Sequence, residues 1–212
     1  MVNRTQGQSA GLTRERIGQA AVELVDRDGL ERFGVRRLAA ELGVDPMSIY
    51  NHVKGKAALL DTVSATVLAE TGAELGSAPP GGDWIDVARG MAHAYRELAH
   101  RHPRVFPLLT TRAQTSPVAL AALEQLAAAM RREGVPDRVV ADAPLLLFGF
   151  LNGYLLATLS AASEAVSPDL LLAEYPTMAA LAPLQAGFGS REEFDRMLET
   201  VLGGIRAAAG ER

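Results

Sequence analysis

The chain has 212 residues, 48% of them apolar, with 21 Lys or Arg against 25 Asp or Glu and no cysteine. That length and apolar content allow one small and one larger globular domain with a true core, and confine disorder to the ends. Disulfide frameworks, Cys-ligated zinc and cysteine nucleophiles are excluded; residues 1–11 are polar and lack the apolar run of a secretion signal, so a cytoplasmic location is expected.

Helical periodicity with Gly and Pro at nearly every gap predicts an all-α chain without strands. Helices are expected over 13–28, 35–42, 46–53, 56–75, 84–100, 104–111, 118–133, 137–163, 176–183 and 191–209, with Ala78-Pro79-Pro80-Gly81-Gly82 as the clearest linker. This organises the chain as a small N-terminal domain over 1–58 and a larger helical domain over 59–212.

Within the small domain, Val35, Leu38, Ala39 and Leu42 form one apolar stripe, which leaves Arg36, Arg37 and Glu41 toward solvent or ligand. Gly43-Val44-Asp45 ends that helix. Asp45 is a good N-cap and Pro46 suits a first helical position, so a second helix starts there. Ala39, Gly43 and Ile49 supply the small crossing residue, turn glycine and apolar anchor of a helix-turn-helix. On the second helix Ile49 and Val53 face inward. Met47, Ser48 and Asn51 share the opposite side, with Tyr50, His52 and Lys54 on the flanks. Asn can pair with an adenine edge, Ser can donate or accept, and Met can pack on a thymine methyl. Tyr50, Lys54 and Lys56 suit phosphates. Residues 1–58 carry nine Lys or Arg against seven Asp or Glu, whereas the whole chain has a net charge of −4, so the basic surplus is N-terminal. A localised patch, helped by the Arg4 arm, would bind DNA with steep salt dependence.

The stretch from Thr13 to Leu60 resembles the N-terminal domain of the tetracycline-repressor (TetR) family of bacterial regulators. The resemblance rests on Phe33-x-Val35-Arg36-x-Leu38-Ala39, Leu42-Gly43-Val44, Ile49-Tyr50-x-His52-Val53 and Lys56-x-x-Leu59-Leu60. It implies that Arg36, Met47, Ser48 and Asn51 approach bases and that Tyr50, His52 and Lys56 approach phosphates. Two positions depart from the family pattern: Asn51 stands where an aromatic is frequent, and Gly34 where Ser or Thr caps the helix. They bear on the operator sequence.

Residues 143–163 carry no formal charge and are long enough to span a bilayer. Asn152 near the middle, Asp142 and Glu164 at the flanks, and no basic cluster argue against a span. Gly149 and Gly153, spaced G-x-x-x-G, would admit another backbone, so burial between two copies of the chain is the expected arrangement.

From Trp84 onward the chain is similar to the C-terminal domain of the tetracycline-repressor branch. The features are Arg101-His102-Pro103, the long apolar helix, Glu174-Tyr175-Pro176, and Phe194-x-x-x-Leu198-x-x-x-Leu202-Gly203-Gly204-Ile205. The resemblance implies a homodimer in which the long apolar helix and the last helix of each subunit form a four-helix bundle. Gly149, Gly153, Phe194, Leu198, Val201, Leu202 and Ile205 would lie in that interface, with Met197 on the same stripe. It also implies a small-molecule cavity, for which Met91, Tyr95, Phe106, Leu109, Phe148, Leu151, Asn152 and Tyr175 combine apolar bulk with a few polar tips. Enzymatic turnover is not suggested by any motif: no G-x-S-x-G, P-loop, dinucleotide fingerprint or H-E-x-x-H occurs.

At His93, His100 and His102 no metal is expected, since metal sites need several donors and no Cys is present, and no cofactor is expected. His102 before Pro103 is expected at a helix end. Tetracycline-binding members place a metal-coordinating His after this helix, and residues 104–112 contain none, which argues against a magnesium–tetracycline effector. The expected function is a repressor on a palindromic operator, released when a small apolar ligand tilts the helix over 56–75. An all-α enzyme and a DNA-independent dimeric binding protein are the alternative classes.

Overall fold

The structure, a computed structural model, describes residues 11–72, 82–160, 175–185 and 187–210. Among these residues every regular element is helical. Arg4, the helix end over 73–75, most of the linker, residues 161–163 and Glu174 lie outside the described residues. The chain forms two compact units, residues 1–75 with 97–122, and residues 76–96 with 123–212. Compactness thus groups part of the second sequence domain with the N-terminal one.

In the first unit α1 (Arg14–Asp28) starts at Thr13, whose hydroxyl accepts from the Arg16 N–H. It buries Ile17, Ala21, Val22, Leu24 and Val25. After a 3₁₀ turn (Leu30–Arg32) come α2 (Val35–Leu42), α3 (Pro46–His52) and α4 (Gly55–Glu70). α1 packs on both α2 and α4. Its approach to α4 requires Gly18: a Cβ there would lie 2.1 Å from Thr66 Oγ1 and 3.3 Å from Thr62 Cγ2. The unit is completed by the end of α5 (Trp84–Arg101), by α6 (Phe106–Thr111) and by the start of α7 (Pro117–Arg132). Arg112 fastens this part to α4, donating from Nε and Nη2 to Asp61 Oδ1 at 3.0 and 2.5 Å and reaching the Ala57 carbonyl at 3.3 Å.

In the second unit α8 (Asp137–Ser160) packs against α10 (Arg191–Ala208), with the short α9 (Pro176–Leu181) between them in sequence. Phe194 is the hub. It stacks with Phe150, meets Tyr154 and His93 rings at 5.6 Å, and lies under the Arg96 guanidinium. The start of α10 is a variant of the capping box: Ser190 Oγ accepts from the Glu193 N–H, and buried Glu193 reaches back past the N-cap to accept from the Gly189 N–H and the Tyr154 hydroxyl, both at 2.8 Å. Arg89 on α5 pairs with Glu199 on α10 at 2.7 Å.

α8 is long and apolar enough to cross a membrane by length and composition. It buries one narrow stripe, Val140, Ala143, Leu147, Leu151 and Leu155, and leaves Leu145 and Leu146 exposed at 75% and 53%. Being apolar on every side, it is only partly covered by its own chain.

Candidate DNA interface and effector core

Gly43 takes φ +66, a left-handed conformation that suits glycine, and the Val44 N–H returns to the Ala39 carbonyl at 3.0 Å, closing α2. Asp45 then caps α3: its carboxylate accepts from the Met47 N–H at 2.8 Å, with Pro46 in the first turn. Leu38, Ala39, Ile49 and Val53 are all buried, so the α2–α3 angle is fixed by an apolar seam. Gly55, at φ +90, allows the sharp turn into α4.

With Ile49 and Val53 inward, the other side of α3 faces out. Met47 is 65% exposed, Tyr50, Asn51 and His52 are exposed, and Ser48 is half-buried. Arg36 on α2 and Lys54 and Lys56 around the α4 start are also exposed, and among the described residues none of the three makes an ion pair. The geometry therefore brings the eight sequence-selected DNA residues onto α3 and its two flanks.

Arg37 and Glu41 are exposed as expected, and each also pairs with a charge on α1. Glu41 receives a two-pronged contact from Arg27 at 3.1 and 2.9 Å, while Arg37 bonds Asp28 at 2.8 Å. The Arg27 hydrogen bonds hold the Glu41 carboxyl below its usual range. These pairs brace α2 against α1 at the surface, and sequence periodicity could mark them only as polar.

The eight expected effector residues divide between the units. Phe106 and Leu109 are core residues of the first. In the second, Met91, Tyr95 and Leu151 are buried, and Tyr95 meets Asn152 and the Phe148 ring, at 2.9 Å and at an edge-on 5.3 Å. Burial drives the Tyr95 hydroxyl well above its ordinary pKa, so it remains a donor. Tyr175, the N-cap of α9, is 49% exposed. A cavity of about 920 Å³ lies within the first unit between α1, α4 and residues 113–117, and none of the eight lines it.

The residues expected in the interface differ in how far their own chain already covers them. Phe194, Leu198, Leu202 and Ile205 are buried within their own protomer, and Val201 is half-buried. An apolar stripe records that a face is covered, and here α5 and α8 of the same unit supply that cover for Phe194. The exposed surface is instead Leu145, Leu146, Gly149 and Gly153 on α8, with Met197, Gly203 and Gly204 on α10. A Cβ added at Gly149 or Gly153 would meet nothing within 4 Å.

Sequence analysis missed the partners of His102. This buried ring closes α5 and reaches Asp26 on α1 and Glu70 on α4, separated from it by 76 and 32 residues. Only the His-Pro pair was visible as a signal. Among the described residues no group of three or more His, Cys, Asp or Glu is arranged to hold a metal.

The sequence profile "Bacterial regulatory proteins, tetR family" matches residues 17–63, and "Tetracyclin repressor-like, C-terminal domain" matches residues 76–209. The HTH-type transcriptional repressor DrrR1 of Streptomyces coeruleorubidus is 33% identical over 70% of this chain, which spans 54% of that protein's length. An HTH-type transcriptional regulator of Saccharopolyspora erythraea is 32% identical, with 94% of this chain and 86% of that protein covered. Among solved structures, Streptomyces coelicolor ActR in complex with actinorhodin superposes with a TM-score of 0.81 at 28% identity, covering 95% of this chain and 99% of that one. The chain belongs to the tetR family of bacterial regulatory proteins, with a tetracyclin repressor-like C-terminal domain.

Proposed function

We propose that the chain is a cytoplasmic, homodimeric transcriptional repressor that binds a palindromic operator and leaves it when a small, largely apolar molecule binds, and that it is not an enzyme. The observation that carries this reading is the outward face of α3: Met47, Ser48 and Asn51 are presented beyond a sealed Ile49–Val53 side, with Tyr50, His52, Lys54 and Lys56 placed for phosphates. Arg36 on α2 adds a base or phosphate contact. The DNA head ends near residue 58 in this reading, and residues 59–212 bind effector and the second subunit.

In the effector domain Tyr95 and Asn152 supply polar tips among Met91, Phe148 and Leu151, a mixture suited to an apolar ligand with carbonyl or hydroxyl groups. ActR, crystallised with actinorhodin, supports that ligand class. Phe106 and Leu109 stand as further candidate contacts. The open α8 face at Leu145, Leu146, Gly149 and Gly153, with Met197 of α10, is the proposed dimer surface; its cover by a second copy accounts for a largely unburied apolar helix. Release follows if the ligand favours a spacing of the two α3 helices that no longer fits adjacent major grooves.

Footprinting of DNA upstream of the coding region tests the reading. A symmetric protected site that is lost as salt rises supports it. No protection at any salt concentration, or chemical conversion of an added ligand, overturns it.

A further inference from the structure

His102 belongs to neither the reading face nor the effector core, yet it is the buried ring where three distant segments meet. Its Nδ1 lies 2.6 Å from Asp26 Oδ2 at the end of α1, and its Nε2 lies 2.9 Å from Glu70 Oε2 at the end of α4. A neutral imidazole has one N–H and one lone pair, and an ionised carboxylate only accepts. With Asp26 and Glu70 both ionised, both contacts are hydrogen bonds only when both ring nitrogens carry hydrogen. The need is sharpened by Asp26, whose other oxygen, Oδ1, is buried with no hydrogen-bond partner among the described residues.

We propose that His102 is a positioning residue: as an imidazolium bonded to both carboxylates it locks the end of α1 to the end of α4, and operator binding depends on that proton. This rests on the DNA-binding reading above. α1 is the helix on which α2 and α4 pack, so its placement governs the base on which α3 stands. Asp26 faces it from α1 and Glu70 from α4, and Arg104 from the following turn donates to the Asp26 and Arg27 carbonyls. The neighbouring α1 charges, Arg27 and Asp28, are paired with Glu41 and Arg37 on α2. Loss of the ring proton leaves a lone pair against a carboxylate oxygen and opens one side of the lock. Imidazoles ordinarily lose that proton near neutrality.

The test uses the full chain, with ¹⁵N-histidine labelling and operator affinity measured from about pH 5.5 to pH 9. Both His102 nitrogens are expected at imidazolium shifts at the acid end. Operator affinity in the unaltered protein should fall at least about threefold more across the range than in His102→Gln, since contributions common to both proteins cancel in the comparison. A neutral His102 tautomer throughout, or the same pH profile in both proteins, overturns the proposal. If His102→Gln does not fold, Asp26→Asn and Glu70→Gln replace it: each should lower the pH at which His102 loses its proton, and no change in either overturns the proposal. Imidazolium shifts in a protein that binds no operator at any pH would sink the DNA reading and the operator arm of this proposal, while leaving the doubly bonded ring established.

Discussion

Tyr95 on α5 donates its hydroxyl hydrogen to Asn152 Oδ1 on α8 at 2.9 Å, within a second unit whose surroundings at this point are largely apolar. The pair orients the amide of Asn152 so that its nitrogen remains as a donor. A ligand carbonyl arriving among Met91, Phe148 and Leu151 would find that group already placed, with no further ordering cost.

Removing the hydroxyl with Tyr95→Phe should therefore weaken effector action about fivefold, the scale of one hydrogen bond worth ~1 kcal/mol. The measurement is the effector concentration that releases half of the operator complex. An unchanged concentration would remove Tyr95 and Asn152 from the effector site.

Gly18 supports the DNA head from behind. A methyl there would meet Thr66 Oγ1 at 2.1 Å, and Thr66 is itself held by a bond to the Thr62 carbonyl at 2.8 Å. Gly18→Ala should cost about 1–3 kcal/mol through overpacking, despite the better helix propensity of alanine. Thermal or urea unfolding reads this directly, and an equal or raised midpoint would show that α1 and α4 part easily.

The proposed dimer face can be spoiled without touching the protomer core. Leu146 is 53% exposed, so Leu146→Glu should leave the helical fold intact and yield monomers in light scattering. A persistent dimer would mean that another surface joins the subunits.

Tyr154 provides a pH signature for the α8–α10 contact. Burial, followed by its hydrogen bond to Glu193, pushes its hydroxyl up to about 12. Since the folded form holds the proton more tightly than the unfolded one, this contribution is complete below the ordinary tyrosine range, near 10, and is lost as pH rises toward 12. Alkaline unfolding should thus lose part of its pH dependence over that interval in Tyr154→Phe. Identical curves would contradict the assignment.

What the sequence made legible was local. Gly43, Asp45 and Pro46 mark the α2–α3 junction because each imposes a backbone or hydrogen-bonding requirement on its own neighbours, and α2 ends and α3 begins where those residues place them. The Lys54–Gly55 turn was less clear, since the left-handed Gly55 opens α4 one residue earlier than the periodicity suggests. Longer-range facts were not legible. The stripe of Phe194, Leu198, Leu202 and Ile205 shows that one face of α10 is covered, and periodicity cannot say whether the cover is the same protomer or another. Arg37 and Glu41 are legible as surface residues, but their partners Asp28 and Arg27 on another helix are not. His102 stood out only as a helix end, because both of its carboxylates come from other helices.

The central claim, that α3 reads operator DNA, is tested most directly by fluorescence anisotropy on the footprinted operator with Asn51→Ala and Tyr50→Ala, alongside the dimer mass of each variant. The account predicts a loss of about tenfold or more for each, since one base or phosphate contact is worth ~1–3 kcal/mol, with the dimer unchanged. Full affinity in both variants, with intact folds, would contradict it.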